Sequence, residues 1–345
     1  MKQILNTLYV MTQGAYLSLD HETVRVEVGG ELRLQVPLHH LGSIVTMGNV
    51  MVSPFFLGKC ADDGRAVVIL DRNGRFKCRM IGKTTGNVLL RQAQYQAVQD
   101  EIRATALAAV ITAGKVKNAR HVLLRSAREA ATPEDEARLR KAADVQADAL
   151  YYLKTPRDAN HVRGLEGEAA AAYFEVFTLM IKPAERVELP MIGRNRRPPL
   201  DPVNALLSFL YTLVLNDCIS GLEGVGLDPQ MGFLHVPRPG RPSLGLDLLE
   251  EFRAFLADRL ALTLINRKQV TKSHFEPRPG GAVYLNDDGR KVVVAAYQKR
   301  KQEETDHELL VEKVPLGLLP HIQARLLARY LRGDLEAYIP YIHPS

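Results

Sequence analysis

Two periodicities divide the chain. Up to about residue 82, apolar and polar positions alternate with the period of a β-strand. Leu5, Thr7 and Tyr9 alternate with Asn6, Leu8 and Val10, and Thr23-Val24-Arg25-Val26-Glu27-Val28 sets its valines on one face. Gly29-Gly30 then supplies a hairpin turn, after which Leu32, Leu34 and Val36 resume the pattern. Ala66-Val67-Val68-Ile69-Leu70 is a fully apolar strand, Asp71-Arg72-Asn73-Gly74 a turn, and residues 76–81 a final strand. Residues 53–61 interrupt the series as one short helix. The pattern predicts a small β domain over residues 1–82, a sandwich or a rolled sheet. It holds no cluster of catalytic residue types, so its role reads as dimerisation or packing.

Composition shifts at Gly82-Lys83-Thr84-Thr85-Gly86, and residues 83–90 read as a linker. From 91 to 345 helical signals dominate. A helix is expected over 92–112, ending at Gly114. Thr132-Pro133-Glu134-Asp135 marks a second start: a capping hydroxyl, a proline suited to the first turn, and acids facing the helix dipole. Further helices are expected over 166–180, 202–215, 246–257 and 315–331. Residues 280–294, with Asp288-Gly289 as the turn, read as a β-hairpin inserted in the helical domain at about 280–297. The fold class is therefore α+β and multidomain: a small β domain, then a mostly α-helical domain with a hairpin insertion.

Bulk composition narrows this little. Hydrophobic content of 46% and charged content of 24% are ordinary for a globular chain. No uninterrupted apolar stretch reaches the roughly 18 residues that span a bilayer. The start, Met1-Lys2-Gln3-Ile4, leads into the alternating pattern and not into a signal-peptide core, so a cytoplasmic location is expected. Cys60, Cys78 and Cys218 are too scattered for a disulfide framework or a zinc knuckle. The net charge of +6 suits a polyanionic partner, because lysine and arginine displace condensed counterions from phosphates.

Candidate chemistry lies in the second half, in Arg163-Gly164-Leu165-Glu166-Gly167, in residues 201–208, in Gly232-Phe233-Leu234-His235 and in residues 243–250. Glu166, at the expected start of a helix, either compensates the dipole or binds a cation. Asn204, Ser208 and Tyr211 share one helical face, as a satisfied helix contact or as support for a metal ligand. His235 lies in a glycine- and proline-rich loop of the kind that often carries site residues. Asp247 and Glu250, three apart on a helix expected to be capped by Ser243, either form a solvated face with Glu251 and Arg253 or repel each other until a cation intervenes. Oxygen donors with one imidazole suit magnesium or manganese, and such a set can activate a water or a 3′-hydroxyl toward a phosphodiester. Arg194-Asn195-Arg196-Arg197 and Lys299-Arg300-Lys301 are either solvated loops or contacts to a DNA backbone.

These four runs, in this order behind a β domain of this size, resemble the CRISPR-associated integrase that acquires new spacers, and the 297–301 run resembles its subtype I-C branch. The resemblance spans nearly the whole chain. It implies that Glu166, His235 and Glu250 hold Mg2+ or Mn2+, and that Asp247 is a neighbouring acid important to the same catalytic centre. Many relatives carry aspartate where this chain has Glu250. It further implies that Asn204 and Tyr211 lie near the site, with Arg163 a nearby basic position. Arg194, Arg196, Arg197, Lys299 and Arg300 remain the candidates for DNA contact. The activity implied is metal-dependent attack by the 3′-hydroxyl of a captured fragment on a phosphodiester at the edge of a CRISPR repeat. The partners implied are double-stranded and branched DNA, a second copy of the chain through the β domain, and a small ferredoxin-like second CRISPR-associated protein, with no membrane. The residues alone leave open a stand-alone metal nuclease on branched or single-stranded DNA, or a non-catalytic DNA-binding scaffold.

Overall fold

The computed structural model describes residues 6–72, 74, 76–80, 82, 88–195 and 198–344. The alternating segments form strands β1 (Asn6–Val10), β2 (Ala15–Asp20), β3 (Thr23–Val28), β4 (Glu31–Pro37), β5 (Leu41–Met47), β6 (Val50–Val52), β7 (Ala66–Leu70) and β8 (Phe76–Met80). Between β6 and β7 lies the expected short helix, α1 (Pro54–Asp62), capped by the Ser53 hydroxyl, which accepts from the Phe56 amide at 3.2 Å. Gly29 and Gly30 both take positive φ, 61° and 84°, and join β3 to β4 as a tight hairpin turn. The strands make two four-stranded sheets, in the orders β1-β5-β7-β8 and β4-β3-β2-β6. Val10, Leu17, Val24, Ile44, Val67 and Phe56 form the core between them.

The first sheet is covered on both faces. Ile44 and Val67 point into the β core, while Val45, Met47, Val68 and Leu70 join the core of the helical domain. That double burial is why 66–70 carries no polar residue. Arg79 closes the junction, donating to Glu223 at 2.6 Å and to the Asn216 carbonyl at 3.1 Å. The edge strand β4 of the second sheet is left uncovered, with Leu32 and Leu34 47% and 43% exposed, and Phe55 of α1 is 84% exposed. The β domain therefore packs through one sheet and leaves apolar surface on the other.

The helical part begins with α2 (Val88–Gln99) and α3 (Glu101–Arg128), so one expected helix is two. The break falls at Asp100, whose carboxylate accepts from the amides of Ile102 and Arg103 and restarts the helix. Residues 88–90 of the expected linker already belong to α2; residues 83–87 lie outside the described residues. The helix α4 (Pro133–Tyr152) starts as expected, with Thr132 Oγ1 accepting from the Asp135 amide at 3.1 Å. The next, α5 (Ala159–Glu175), begins seven residues before the expected start, because Asp158 caps it by accepting from the His161 amide at 2.8 Å. After the short α6 (Pro183–Glu188), α7 (Pro202–Val225) runs ten residues beyond the expected end, to Gly226 at φ 89°. By length and composition α7 is apolar enough to cross a bilayer, but 67% of that window is buried in the fold, as for a core helix.

The helix α8 (Ser243–Phe252) passes through a π-helical turn, Arg253–Asp258, into α9 (Arg259–Asn266). Ser243 does not cap it: Pro242 is the cap residue, and the Ser243 hydroxyl donates to the Val236 carbonyl at 3.1 Å.

The hairpin insertion exists but is displaced. It consists of β9 (Phe275–Pro277) and β10 (Val283–Leu285), and the residues expected to form its turn and second strand are helix α10 (Asp287–Gln302). Asn286 caps that helix by accepting from the Gly289 amide at 2.9 Å, so Asp287 and Asp288 are first-turn acids and not turn residues. Val293, Val294 and Tyr297 then bury one helical face, and this packing overrides the strand preference of the valine run. A second hairpin, β11 (Glu304–His307) with β12 (Glu312–Pro315), precedes α11 (Leu319–Leu331).

The last described residues strap the helices together. Glu251 accepts from the Tyr338 hydroxyl, from the Tyr341 amide at 2.8 Å and from Gln323 at 2.9 Å. The Asn118 amide donates to the carbonyls of Glu251 and Tyr341, both at 2.9 Å. Gly114, expected to end a helix, instead lies within α3 beneath this strap: a Cβ there would stand 2.7 Å from Pro340 Cβ. Two effects of Gly114→Ala oppose each other. Alanine adds about 1 kcal/mol of helix propensity, whereas overpacking costs about 1–3 kcal/mol. Because the opposing atom belongs to a rigid ring held by the strap, a net loss of stability is expected in urea unfolding. A net gain would mean that the strap does not dock.

Candidate active site

Five segments converge on a cluster of charges. Lys115 comes from α3, Glu166 from α5, Glu250 from α8, Arg253 from the π turn after it, and His235 from the loop between α7 and α8. Lys115 Nζ contacts Glu166 Oε1 and lies 2.9 Å from Glu250 Oε2. Glu250 Oε1 accepts from Arg253 Nη2 at 2.7 Å and stands 3.9 Å from His235 Nε2. Burial would raise the Glu250 pKa, but Arg253, Lys115 and His235 outweigh it and bring it down to about 2. A folded-state value below the ordinary one means that this carboxylate stabilises the fold above about pH 4.5, and that the contribution is lost as pH falls toward 2.

Asp247, fully buried, serves a different purpose from Glu250. Its carboxylate accepts from the amides of Phe233 at 2.6 Å, Leu234 at 3.1 Å and His235 at 2.9 Å, and from His235 Nδ1 at 2.7 Å. All its acceptor capacity is spent on folding one loop. Because a carboxylate can only accept, Nδ1 carries a proton, so in the neutral ring Nε2 is the atom with the lone pair, and it faces Glu250. Gly232 makes the approach possible, since a Cβ there would stand 2.8 Å from Asp247 Oδ2. Arg163 braces the same loop, donating to Asn160 at 2.7 Å and reaching the Leu234 carbonyl at 3.5 Å.

The structure separates the readings left open for several residues. Glu166 stands well inside α5, so dipole compensation does not explain it. Gly164 and Gly167 beside it are exposed, and a Cβ at either would meet nothing within 4 Å, leaving bare helix next to the carboxylates. Glu250 and Glu251 are both buried, so they form no solvated face.

The stripe Asn204, Ser208, Tyr211 has buried partners. Asn204 accepts from Arg194 at 2.6 Å and donates to Asp201 at 2.6 Å, and Ser208 lies 3.4 Å from Arg194. Tyr211 donates to Asp258 at 2.6 Å and carries the Arg253 guanidinium over its ring at 4.6 Å. Burial pushes the Asp258 carboxyl up to about 6, against hydrogen bonds from Tyr211 and Tyr173. Tyr211 thus reaches the cluster through Arg253, while Asn204 is linked to Tyr211 through Arg194. Arg194 itself, expected on a DNA backbone, is turned inward over Phe174 and Tyr211, and that correction follows from the aromatic pocket it fills. Arg196 and Arg197 lie outside the described residues. Lys299 and Arg300 sit in the last turn of α10, where Arg300 pairs with Glu303.

Lys115 and Arg253 escaped the sequence reading as site residues. Lys115 is one of several cations in an alanine-rich helix, with no local signal. Arg253 was detectable only as a cation three residues after Glu250, one turn along the same face.

Among the described residues no three His, Cys, Asp or Glu side chains stand close enough to enclose one ion as placed. The cation at the focus is the Lys115 ammonium, which touches both glutamates. Glu250 Oε2 is buried yet accepts no hydrogen bond of good geometry, even from that ammonium. Two carboxylates bridged by the Lys115 ammonium, with the His235 imidazole 3.9 Å from one of them, are donor types that suit Mg2+ or Mn2+.

Residues 8–299 match the family described as CRISPR associated protein Cas1. The chain is 55% identical over 340 residues to CRISPR-associated endonuclease Cas1 1 of Moorella thermoacetica, covering 99% of each. It is 49% identical over 345 residues to CRISPR-associated endonuclease Cas1 1 of Chlorobaculum tepidum, again covering 99% of each. Among solved structures, a CAS1 protein from Thermotoga maritima superposes with TM-score 0.81 at 21% identity, over 95% of this chain and 97% of that one. A casposase bound to integration product gives 0.83 at 20%, over 97% and 94%. A Cas6-RT-Cas1–Cas2 complex gives 0.83 at 21%, over 99% of this chain and 36% of that one. At these identities the structural likeness establishes the fold.

The contrast between Asp247 and His235 can be measured without metal. Asp247→Asn turns an amide NH2 toward backbone donors in a fully buried place. It should cost about 1–3 kcal/mol for each group left unsatisfied. His235→Ala leaves the three amide contacts intact and should cost at most about 1 kcal/mol. Equal losses in urea unfolding with EDTA present would refute the loop-building role of Asp247.

Proposed function

The chain belongs to the Cas1 family of CRISPR-associated endonucleases, and from that premise we propose that it is a divalent-metal-dependent integrase that joins captured DNA fragments into a CRISPR array. The observation that carries this reading is that Lys115 joins Glu166 to Glu250 while His235, oriented by Asp247 through Nδ1, stands 3.9 Å from the same Glu250.

In this reading Glu166, Glu250 and His235 hold Mg2+ or Mn2+. The ion, when bound, supplies Lewis acidity toward the scissile phosphate and lowers the pKa of the attacking hydroxyl. The protein supplies positioning and charge. Arg253 fixes Glu250 from behind through its 2.7 Å hydrogen bond and is itself braced on the Tyr211 ring. Lys115, released from the glutamates, carries a positive charge to the phosphate that gains negative charge in the transition state. The bare α5 surface at Gly164 and Gly167 lets a sugar-phosphate backbone approach. The 3′-hydroxyl oxygen bonds to phosphorus, the bridging P–O3′ bond of the repeat breaks, and the departing oxygen takes up a proton. No covalent bond to the protein is required.

The partners follow from surfaces and likenesses. Leu32 and Leu34 on the uncovered edge strand, with Phe55, give the apolar surface that a homodimer through the β domain needs. A small second CRISPR-associated protein is the further partner proposed, in keeping with the solved complex in which a protein of this fold is joined to Cas2.

Two measurements test the proposal. In a joining assay with fragment, repeat DNA, the small partner and Mn2+, Glu166→Ala, His235→Ala and Glu250→Ala should each lower the rate at least 100-fold. Calorimetric titration with Mn2+ should show binding lost in the same variants and weakened about 10–100-fold in Asp247→Asn. Joining that survives in EDTA, or metal binding untouched by all three alanine variants, would sink the reading. Separately, Leu34→Glu should shift the chain from dimer to monomer in sedimentation without unfolding it, and an unchanged dimer would move the interface elsewhere.

A further inference from the structure

A second cavity opens on another face of α3, beyond Lys115. It has a volume of about 460 Å³ and is lined by Arg125 and Arg128 of α3, Arg259 of α9, His121, Phe255 and His343 among others. That volume lies within the range of about 300–1,000 Å³ typical of small-molecule sites. With α3 rising about 1.5 Å per residue, Arg125 lies roughly 15 Å along the axis from Lys115. The cavity is therefore separate from the acidic centre.

Its lining carries an excess of positive charge: Arg120, Arg125, Arg128 and Arg259 stand against one acid, Glu129. The two acids nearest the arginines are already engaged: Glu129 pairs with Arg125 at 3.3 Å, and Glu303 pairs with Arg300. Arg259 is half-buried, and among the described residues its guanidinium makes no hydrogen bond or ion pair. Burial, with repulsion from Arg125 and Arg300, outweighs attraction from Glu129 and Glu303 and holds its pKa below the ordinary arginine value. Burial, followed by Arg259 and Arg300, pushes His343 down to about 4, so its ring is neutral near pH 7 and can accept or donate without adding charge. That ring is itself fixed, stacked on Phe255 at 4.7 Å and 9°.

A half-buried guanidinium is costly to leave unpaired. Here the fold places one at a nucleotide-sized cavity, beside further arginines, with every nearby acid occupied. The chemistry that relieves it is a compact oxyanion, and planar guanidinium groups match phosphate in particular.

We propose that this cavity is a second anion site, which binds the phosphate of a nucleotide away from the acidic centre. The phosphate can belong to a DNA strand or to a free nucleotide; the recognising groups are the same. The assignment does not rest on the metal reading, since none of these groups touches Glu166, His235 or Glu250.

The test uses the full chain in EDTA, so the metal site is silent. The probes are inorganic phosphate, deoxyadenosine monophosphate and a single-stranded oligodeoxynucleotide. Readouts are the ligand-induced rise in Tm and the salt dependence of oligonucleotide binding. The variants are Arg259→Gln and, at a more exposed position less prone to folding defects, Arg125→Gln, with the exposed Arg332→Gln as a control outside both the cavity and the acidic centre. If a free nucleotide is the ligand, both cavity arginine variants should bind phosphate and the monophosphate at least ten-fold more weakly, and Arg332→Gln should bind them normally. If a strand is the ligand, the slope of log K against log salt should become shallower by about 0.7 for each phosphate that is no longer neutralised. Binding of all three probes unchanged in both cavity arginine variants, or no binding of any probe by the parent protein, overturns the proposal.

Discussion

A single buried carboxylate organises much of the helical domain. Glu250 is almost entirely removed from solvent and ionised, a condition that costs several kcal/mol unless cations are brought to it. The cations come from different places. Arg253 is one turn onward in the same helix, and Lys115 is on α3, so the charge can be satisfied only if α3 and α8 lie side by side. The neighbouring Glu251 shows the opposite outcome of burial. It meets only neutral donors, from Tyr338, Tyr341 and Gln323, and burial pushes its carboxyl up to about 7. Two adjacent glutamates thus divide the work: one faces the cations of the candidate site, and the other pins the C-terminal strap across the back of the same helix.

The candidate site was partly legible in the chain. Glu166, His235, Asp247 and Glu250 could be singled out because each lies in a run with a distinctive order. Their division of labour could not, because it depends on distance. Only the fold shows that Asp247 spends its lone pairs on three backbone amides while Glu250, one turn later, meets side-chain cations. Lys115 was invisible for the same reason, since its meaning arises from two glutamates 51 and 135 positions away. Arg194 shows the converse: a basic loop reads as a phosphate contact until Phe174 and Tyr211 turn it inward.

The fold was legible where local chemistry and packing agree. The Gly29-Gly30 turn, the Ser53 cap and the Thr132 cap all stand where the residues place them. Misreadings arose where one signal has two physical uses. An acidic pair before glycine serves a hairpin turn or a helix start, and Asn286 decided for the helix. A glycine in a helical pattern ends the helix or admits a neighbour, and Pro340 shows which at Gly114. The caps at Asp100 and Asp158 are not legible in the chain, because nothing in their immediate surroundings distinguishes a capping aspartate from a surface one.

The π-helical turn at Arg253–Asp258 has a consequence for how this segment can vary. A π turn carries one residue more than the α-helical path it replaces, and one residue is about 100° of rotation. The extra residue works as a phase adjuster between two helices that share an axis. Upstream, α8 is set so that Glu250 meets its cations; downstream, α9 is set so that Leu260, Leu264 and Ile265 enter the core and Arg259 meets the basic cavity. Each half can be tuned for its own surroundings because the turn absorbs the mismatch. It follows that the count of residues between Glu250 and Arg259 matters more than most of their identities: removing one would leave a helix there, but would swing the basic cavity and the charge cluster out of step with each other.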